Sequence, residues 1–358
     1  MKRCLAIGIL AALIFGGSSP SFAACSGPTG AEGDMIYNSS HHMMQFCNGS
    51  DWVAMAGSGG GGGGSANTCP PESYFTGSTD NQPIAGFVQN GYYFLIEQNT
   101  DSIIAYSLGP TAAQVGTGYT FTQTDPSSIW GDGTYLYVGS GNYLYALSFN
   151  GSAFTATSIN TSNAVQDVWG AGGYIFIANA AAGVKAYTFN GTTLAQAGST
   201  YNTPGDAQSI WGRSATEIFV ADGTSGLRAL SFDGSTFTSV GTWDPGEVNA
   251  VYATASHVFT SNADPWYSGS ILTYSGGAFT EVVTDYFTVV PFIELAIGSN
   301  LYSDGRVFTL SGATLTQVGS YATLQDEFWT DPNNATATDG SYLYTAEWLN
   351  LQISPVCD

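Results

Sequence analysis

The chain has 358 residues, of which only 9% are charged, and its formal net charge is −21 at pH 7. An acidic excess of this size excludes proteins that hold nucleic acid or an anionic membrane surface through basic patches. Glycine, tyrosine and phenylalanine are abundant, with 46, 21 and 20 copies, and this composition favours strands and turns over helices.

Residues 1–24 have the features of an export signal. Lys2 and Arg3 precede the apolar run CLAIGILAALIFGG, and small residues suited to cleavage lie near Ala23 and Ala24. The run is short for a membrane span, and no later segment is long and apolar enough to cross a bilayer. We therefore expect an exported protein (periplasmic, surface-bound or secreted) with no integral membrane span. Lipidation of Cys25 is the alternative to simple cleavage.

Residues 25–57 are predicted to form a small β-hairpin module around the turn sequence SSHH. Four cysteines follow the signal, which in an oxidising compartment indicates two disulfides, and we expect one to join Cys25 to Cys47. The module resembles small units of exported bacterial proteins and phage-tail-like fibres, and the resemblance implies attachment or assembly. The residues that carry it are Gly33, Met35, Tyr37, Asn38, Phe46, Cys47, Gly49 and Trp52.

The sequence HHMM at 41–44 offers imidazole and thioether groups, which suit copper. Neighbouring side chains on a strand point to opposite faces, so the four cannot converge on one ion without a bulge. The pattern therefore favours a polar turn followed by the start of a strand.

Residues 58–68 are a glycine-rich linker, and residues 69–358 carry an internal repeat. Three 17-residue stretches, 135–151, 175–191 and 218–234, each end in Phe, then Asn or Asp, then Gly. Aromatic lead-ins precede them, and weaker copies flank them, giving seven copies of roughly 40–44 residues. The lead-ins contain Trp130, Trp169, Trp211 and Tyr252.

Each copy is predicted to contain four short strands joined by hairpin turns. Four strands per repeat, seven times over, predict an all-β, seven-bladed β-propeller. A solenoid of strands and helices is the alternative architecture, but no copy contains a helical apolar period. Several strands are apolar on both faces, so we interpret Trp130, Trp169 and Trp211 as packing between blades.

The two ends of the repeat region predict how the ring closes. The last copy supplies only three strands, and the segment ESYFTGS at 72–78 precedes the first full copy. We expect this segment to be the fourth, outer strand of the last blade. Cys69 and Cys357 would then lie on adjacent strands, and a disulfide between them would stabilise the closure.

The repeated features resemble LVIVD-type and related bacterial surface propeller repeats. They are the FVA or FIA strand, the glycine before the third strand, the GLRAL or GVKAY strand, and the final Asn-Gly or Asp-Gly. The resemblance implies a propeller on an exported protein and implies no particular reaction.

Acidic residues recur just before the first strand of each blade, where they are expected to surround one mouth of the channel. Such a ring of carboxylates could hold calcium, although no EF-hand-like loop is present, and the alternative is a hydrated acidic rim. No other cofactor is indicated. The candidate metal ligands are Asp125, Asp167, Asp206, Glu247, Glu294 and Asp331.

The irregular copies carry aromatic loops that are expected to share a face with these acids. Aromatic planes beside carboxylates suit sugar rings or cationic groups, and loops on a rigid scaffold commonly carry function. Packing of the loops onto the blades is the alternative. The candidate ligand-binding residues are Trp266, Tyr267, Phe328, Trp329, Trp348 and Glu347.

Nucleophilic catalysis has little support, because residues 69–358 contain a single histidine, His257, and no G-x-S-x-G motif. The sequence therefore predicts a non-catalytic recognition or adhesion protein whose partner is a glycan or a surface protein. A metal-dependent hydrolase of the lactonase type is the first alternative. A structural surface subunit, assembled through residues 25–57, is the second.

Overall fold

The computed structural model describes residues 82–262, 269–283, 293, 295–303, 305–320, 335–347 and 350–356, and the backbone of six strands between residues 24 and 78. The chain divides into two compact units, residues 1–65 and 66–358. The described residues form strands and turns and contain no helix. Within these ranges no helix is therefore long and apolar enough to cross a membrane.

The first unit contains a two-stranded and a three-stranded antiparallel sheet. The predicted hairpin around 39–42 is present as the pairing of β3 with β4, and β5 adds a third strand that the sequence analysis did not separate. The side chains of Cys25 and Cys47 lie outside the described residues, so their disulfide stays a prediction. The strands are β1 (Ala24–Cys25), β2 (Gly30–Ala31), β3 (Met35–Asn38), β4 (Met43–Cys47) and β5 (Trp52–Ala54).

The second unit is the predicted all-β, seven-bladed propeller, built from seven four-stranded antiparallel sheets. Blade 1 is β7 (Pro83–Gln89), β8 (Tyr92–Glu97), β9 (Ser102–Ser107) and β10 (Gln114–Thr120). Blade 2 is β11 (Pro126–Gly131), β12 (Leu136–Ser140), β13 (Tyr143–Phe149) and β14 (Phe154–Asn160). Blade 3 is β15 (Asp167–Ala171), β16 (Tyr174–Ala178), β17 (Val184–Phe189) and β18 (Leu194–Tyr201). Blade 4 is β19 (Ser209–Ser214), β20 (Glu217–Ala221), β21 (Leu227–Phe232) and β22 (Phe237–Trp243).

The remaining blades follow the same plan. Blade 5 is β23 (Val248–Ala253), β24 (Val258–Asn262), β25 (Gly269–Ser275) and β26 (Ala278–Val283). Blade 6 is β27 (Leu295–Ile297), β28 (Asn300–Ser303), β29 (Arg306–Ser311) and β30 (Thr314–Ser320). Blade 7 is β31 (Ala335–Thr338), β32 (Tyr342–Glu347), β33 (Asn350–Pro355) and β6 (Tyr74–Ser78).

The ring closes as the sequence predicted. Strand β6 pairs antiparallel with β33, with Ile353 opposite Tyr74 and Gln352 opposite Phe75. The first strand of each blade is its inner strand, and inner strands contact one another in the order β31, β7, β11, β15, β19 and β23. Because Cys69 and Cys357 lie outside the described residues, the closing disulfide stays a prediction.

Tryptophan–glycine contacts join neighbouring blades, which confirms the predicted packing role of the three lead-in tryptophans. The Trp130 ring lies against Gly170 of blade 3, and the Trp169 ring lies against Gly212 of blade 4, so a methyl group at either glycine would overlap a ring. Trp211 packs on Tyr252 of blade 5 with a centroid distance of 5.1 Å. A side chain smaller than an aromatic ring would leave a cavity at these contacts.

The repeated Phe-Asn-Gly or Phe-Asp-Gly turn also faces a neighbouring blade. Phe189 meets Tyr135 of blade 2 edge to face at 4.8 Å. Gly191, with a φ of 92°, lies under the hydroxyl of the same tyrosine. The turn therefore needs glycine both for the positive φ and for the close approach of the ring. The 17-residue repeat thus encodes the second and third strands of a blade plus a contact with the preceding blade.

Candidate functional site

The inner strands all begin at one end of the ring, which we call the entry end, and lead at the other into their first hairpin turns, which we call the turn end. Four predicted acids lie at the entry end, just before or at the start of β11, β15, β19 and β23. Three of them, Asp125, Asp206 and Glu247, are exposed, and Asp167 is half-buried. The entry end therefore has an acidic rim over blades 2 to 5.

The carboxylate of Asp167 links blade 3 to blade 4. Its Oδ2 accepts hydrogen bonds from the Ser209 hydroxyl and the Ile210 amide, both at 2.9 Å. Burial raises the pKa of Asp167 to about 6, against the lowering effect of these hydrogen bonds. Ser209 repeats the link one blade further, because its Oγ accepts the amide of Val251 at 3.3 Å. Asp167 therefore has a structural role that the sequence analysis did not assign.

Asp125 is held chiefly by its backbone, since its carboxylate accepts only a long hydrogen bond of 3.5 Å from the neighbouring Thr124 hydroxyl. It has a φ of 61°, a conformation that aspartate tolerates better than most residues. Its amide donates to the Asp101 Oδ1 of blade 1 at 2.9 Å, and its carbonyl accepts the Gly141 amide at 3.0 Å. The exposed carboxylate is thus presented to solvent from a fixed loop.

No group of three His, Cys, Asp or Glu side chains that could hold a metal occurs among the described residues. Glu294 and Asp331 lie outside those residues, so a calcium site completed by them stays a prediction. A single carboxylate already committed to a blade link, as Asp167 is, would contribute little to such a site.

The predicted aromatic residues Trp266, Tyr267, Phe328, Trp329 and Trp348 lie outside the described residues, as does the side chain of Glu347. The strand ends that flank them can be placed. Asn262 pairs with Val248, the first residue of β23, and Ala346 pairs with Ala335, the first residue of β31. These flanking ends are therefore level with the acidic rim of the entry end.

The sequence analysis missed an ion pair at the entry end of blade 4 and the equivalent polar residues of blade 3. In blade 4, Arg228 Nε donates to Asp222 Oδ2 at 2.7 Å, and Asp222 is fully buried. In blade 3 the equivalent residues are Lys185 and Asn179, both buried. A sequence signal for these residues was present, because both repeats place an Asp or Asn six residues before an Arg or Lys.

The basic side chains of blades 3 to 5 are engaged. Lys185 donates to the Thr161 carbonyl, and burial lowers its pKa. Arg213 donates to the Thr254 carbonyl at 2.6 Å and lies 3.1 Å from Glu217. His257 lies in the hairpin turn before β24, at the turn end. Burial and the Arg213 charge lower its pKa.

Comparison with known proteins supports the fold and leaves the family open. No family model matches the chain, and no curated protein matches it. The LVIVD-type resemblance and the fibre-like N-terminal module therefore stay predictions. A solved structure of a catalytically inactive virginiamycin B lyase from Staphylococcus aureus, with quinupristin, is similar at a TM-score of 0.58 and 12% identity. The match covers 80% of this chain and 99% of that one.

A protein of unknown function from Desulfotomaculum acetoxidans is similar at a TM-score of 0.51 and 12% identity, over 68% of this chain and 85% of that one. At such identities the likeness shows a shared fold alone. The seven-bladed propeller is thus supported by both the strand pairing and the comparisons, while the chemistry has to be argued from this chain.

Proposed function

We propose that this chain is an exported recognition protein that binds a glycan or a surface protein at the entry end. The supporting observation is that the strand ends next to the aromatic loops lie at the same end of the ring as the exposed acidic residues. Asn262 is in register with Val248, which follows the exposed Glu247, and Ala346 is in register with Ala335, the first residue of the inner strand of blade 7. Asp125 and Asp206 are exposed at the same end of the ring, before the inner strands of blades 2 and 4. Aromatic planes and carboxylates would then share one end of a rigid ring.

That combination suits carbohydrate. A sugar ring offers apolar C–H faces to an aromatic plane and hydroxyl donors to a carboxylate. The candidate residues on the aromatic side are Trp266, Tyr267, Phe328, Trp329 and Trp348, with Glu347 beside them. Binding through a few aromatic residues would follow the usual concentration of interface energy in such side chains.

A glycan-array screen of the mature chain, run with calcium and again with a chelator, tests the proposal. We expect saturable binding that Trp266→Ala and Trp329→Ala each weaken, at unchanged melting temperature. Binding in both conditions would place recognition in the aromatic loops, and binding only with calcium would add the carboxylates as ligands. Binding that survives both substitutions would contradict the aromatic site. If no glycan binds, the glycan form of the proposal is wrong, and a pull-down then tests for a surface protein as the partner.

A lyase or hydrolase activity is the second candidate, and the likeness to the virginiamycin B lyase fold favours it. Incubation of the chain with quinupristin, followed by mass spectrometry, is the direct test. Loss of the intact compound, abolished by chelation, would replace recognition by metal-dependent catalysis. If quinupristin stays intact at a stoichiometric concentration of the protein, it is excluded as a substrate.

A further inference from the structure

The turn end shows how neighbouring blades are joined there by side chains. Between blades 1 and 2, the Gln89 Oε1 accepts the Gly133 amide at 3.0 Å, and the Asn90 amide group donates to the Gly133 carbonyl at 2.8 Å. Between blades 4 and 5, Arg213 Nε donates to the Thr254 carbonyl at 2.6 Å. In each case a polar side chain at or next to one hairpin turn reaches the backbone of the next blade's turn.

The interface between blades 2 and 3 has a groove at the corresponding place. Its volume is about 450 Å³. Blade 2 lines it with Trp130, Asp132 and Tyr137, and blade 3 lines it chiefly with residues 170–175. The blade 3 turn is Ala171-Gly172-Gly173, so it has almost no side chains, and a methyl group at Gly173 would meet no atom within 4 Å. The groove therefore exists because this turn has too few side chains to fill the space beside Asp132 and the part of Trp130 that Gly170 and Tyr137 leave open.

Asp132 is fixed within its own blade and keeps an exposed carboxylate beside the groove. Its Oδ1 accepts the amides of Thr134 and Tyr135, both at 2.7 Å, and its Oδ2 accepts the Tyr137 hydroxyl at 2.8 Å. All three donors belong to blade 2, so the carboxylate does not join blade 2 to blade 3. The site therefore presents a positioned anion next to an indole ring.

Blade 7 has the same turn with a different neighbour. Asp339 accepts the Ser341 and Tyr342 amides and the Tyr344 hydroxyl with matching distances of 2.8, 2.7 and 2.7 Å. There, however, the Tyr344 oxygen also accepts the Gly109 amide of blade 1 at 2.8 Å. The Tyr93 ring stacks on Tyr344 with a centroid distance of 5.3 Å. Blade 7 is thus a natural control in which the same carboxylate turn is followed by a blade that stacks an aromatic ring on the tyrosine and hydrogen-bonds its hydroxyl.

The chain itself shows which group suits such an interface. The Arg213 guanidinium lies 3.1 Å from the Glu217 carboxylate and 5.3 Å from the centre of the Phe219 ring, while it donates to a carbonyl of the next blade. The blade 2–3 groove offers the same elements, an aromatic ring, a carboxylate and an uncovered glycine backbone. It lacks only the cation.

We propose that this groove binds the guanidinium of an arginine side chain presented by another protein. A planar guanidinium stacks on an aromatic face and forks between acceptors, which a compact ammonium does less well. The net charge of −21 favours a basic partner. Lys185, Arg213 and Arg228 of this chain are already engaged within the ring. The proposed ligand and its location both differ from those of the entry-end site.

Calorimetric titration of the mature chain with N-acetylarginine amide tests the proposal, with N-acetylcitrulline amide as a neutral probe of the same shape. We expect saturable binding of the arginine probe and binding of the citrulline probe weaker by at least about ten-fold, since a charge-assisted contact is lost. Asp132→Asn keeps an oxygen for the turn amides and should weaken arginine binding by a similar factor. Gly173→Asn, which fills the groove at a φ of 82° that asparagine tolerates, should abolish it.

Asp339→Asn is the matched control, because it makes the same change in the same turn at an interface where Tyr93 of the neighbouring blade stacks on the tyrosine. It should leave the affinity within about two-fold. Equal binding of the citrulline probe would overturn the cationic ligand. Equal weakening by Asp339→Asn would show non-specific attraction to the acidic chain and overturn the site. A heat signal that does not saturate would overturn both.

Discussion

Blades 3 and 4 are neighbours with the same strand pattern, yet they solve one packing problem with opposite chemistry. In blade 3 the Asn179 amide group donates to the carbonyls of Asn163 and Ala164, at 2.7 and 3.0 Å. In blade 4 the Asp222 carboxylate accepts the Gly205 amide at 3.2 Å. Each side chain anchors the connection that enters its own blade.

The difference shows that the connection selects the side chain. A loop that presents carbonyls needs a donor, and a loop that presents an amide needs an acceptor. The role of the basic residue on the third strand differs in the same way. Arg228 pairs with the charged Asp222 carboxylate, whereas Lys185 donates to the neutral Thr161 carbonyl. Substitutions that exchange these chemistries should therefore be costly even though they imitate the neighbouring blade.

The largest effect is expected from Asp222→Ala. Asp222 is fully buried and the Arg228 side chain is 14% exposed, so the substitution leaves a mostly buried guanidinium without its partner, a change that typically costs about 3–5 kcal/mol in the free energy of unfolding. Urea unfolding measures it. Glu217→Ala breaks the more exposed pair, in which the Arg213 side chain is 16% exposed and the Glu217 side chain is 31% exposed. This substitution should cost only about 0–1 kcal/mol in the free energy of unfolding. Equal losses in the two variants would contradict the distinction between a buried and an exposed pair.

Asn179→Asp gives blade 3 the residue of blade 4 and places a carboxylate near Lys185. We nevertheless expect a loss of about 1–3 kcal/mol in the free energy of unfolding, because two backbone carbonyls lose their donor and would face a carboxylate oxygen at a buried position. Asn190→Asp is the control. Asn190 uses only its Oδ1, which accepts the Thr192 and Thr193 amides at 3.0 and 2.8 Å, so a carboxylate can replace it. If Asn179→Asp stabilises the protein, the preferred residue at position 179 is set by the charge of Lys185 and not by the carbonyls of the loop.

Asp167 and Ser209 make the same link from blades 3 and 4, but only Asp167 titrates. Because its folded pKa is raised to about 6 by burial, the folded state holds the proton more tightly. Its contribution to stability is therefore complete below the unfolded pKa near 4 and is lost as pH rises through about 6. The unfolding free energy of Asp167→Asn relative to the natural chain should improve from pH 4 to pH 7. Asp206→Asn removes an exposed acid of the same rim, and an identical pH trend there would refute the assignment to Asp167.

The blades were predictable because their signals are local and repeated. The spacing of Trp130, Trp169 and Trp211, and the Asn-Gly or Asp-Gly turns, mark strand ends in every regular copy. Closure by residues 74–78 followed from counting strands in the last copy. These inferences need only the chain order and the hairpin rules.

The site chemistry was less predictable because it depends on partners far apart in sequence. Asp167 looked like a channel ligand, yet its partners Ser209 and Ile210 are 42 and 43 residues away. The groove beside Trp130 depends on the absence of side chains at Gly172 and Gly173, in a different blade. A repeat shows where each strand lies, but it does not show which neighbouring turn is too small.

The smallest effect is expected at the exposed turns of the two blades, where Asp233 of blade 4 replaces Asn190 of blade 3. The Asp233 Oδ1 accepts the Ser235 and Thr236 amides at 2.8 and 2.7 Å, and these hydrogen bonds lower its pKa. Its contribution is therefore present at neutral pH and is lost as pH falls through the folded pKa. Asp233→Asn should lower the urea midpoint slightly at pH 7 and by less at pH 3. A larger shift than that of Asn179→Asp would show that charge, and not the fit to the backbone, separates blades 3 and 4.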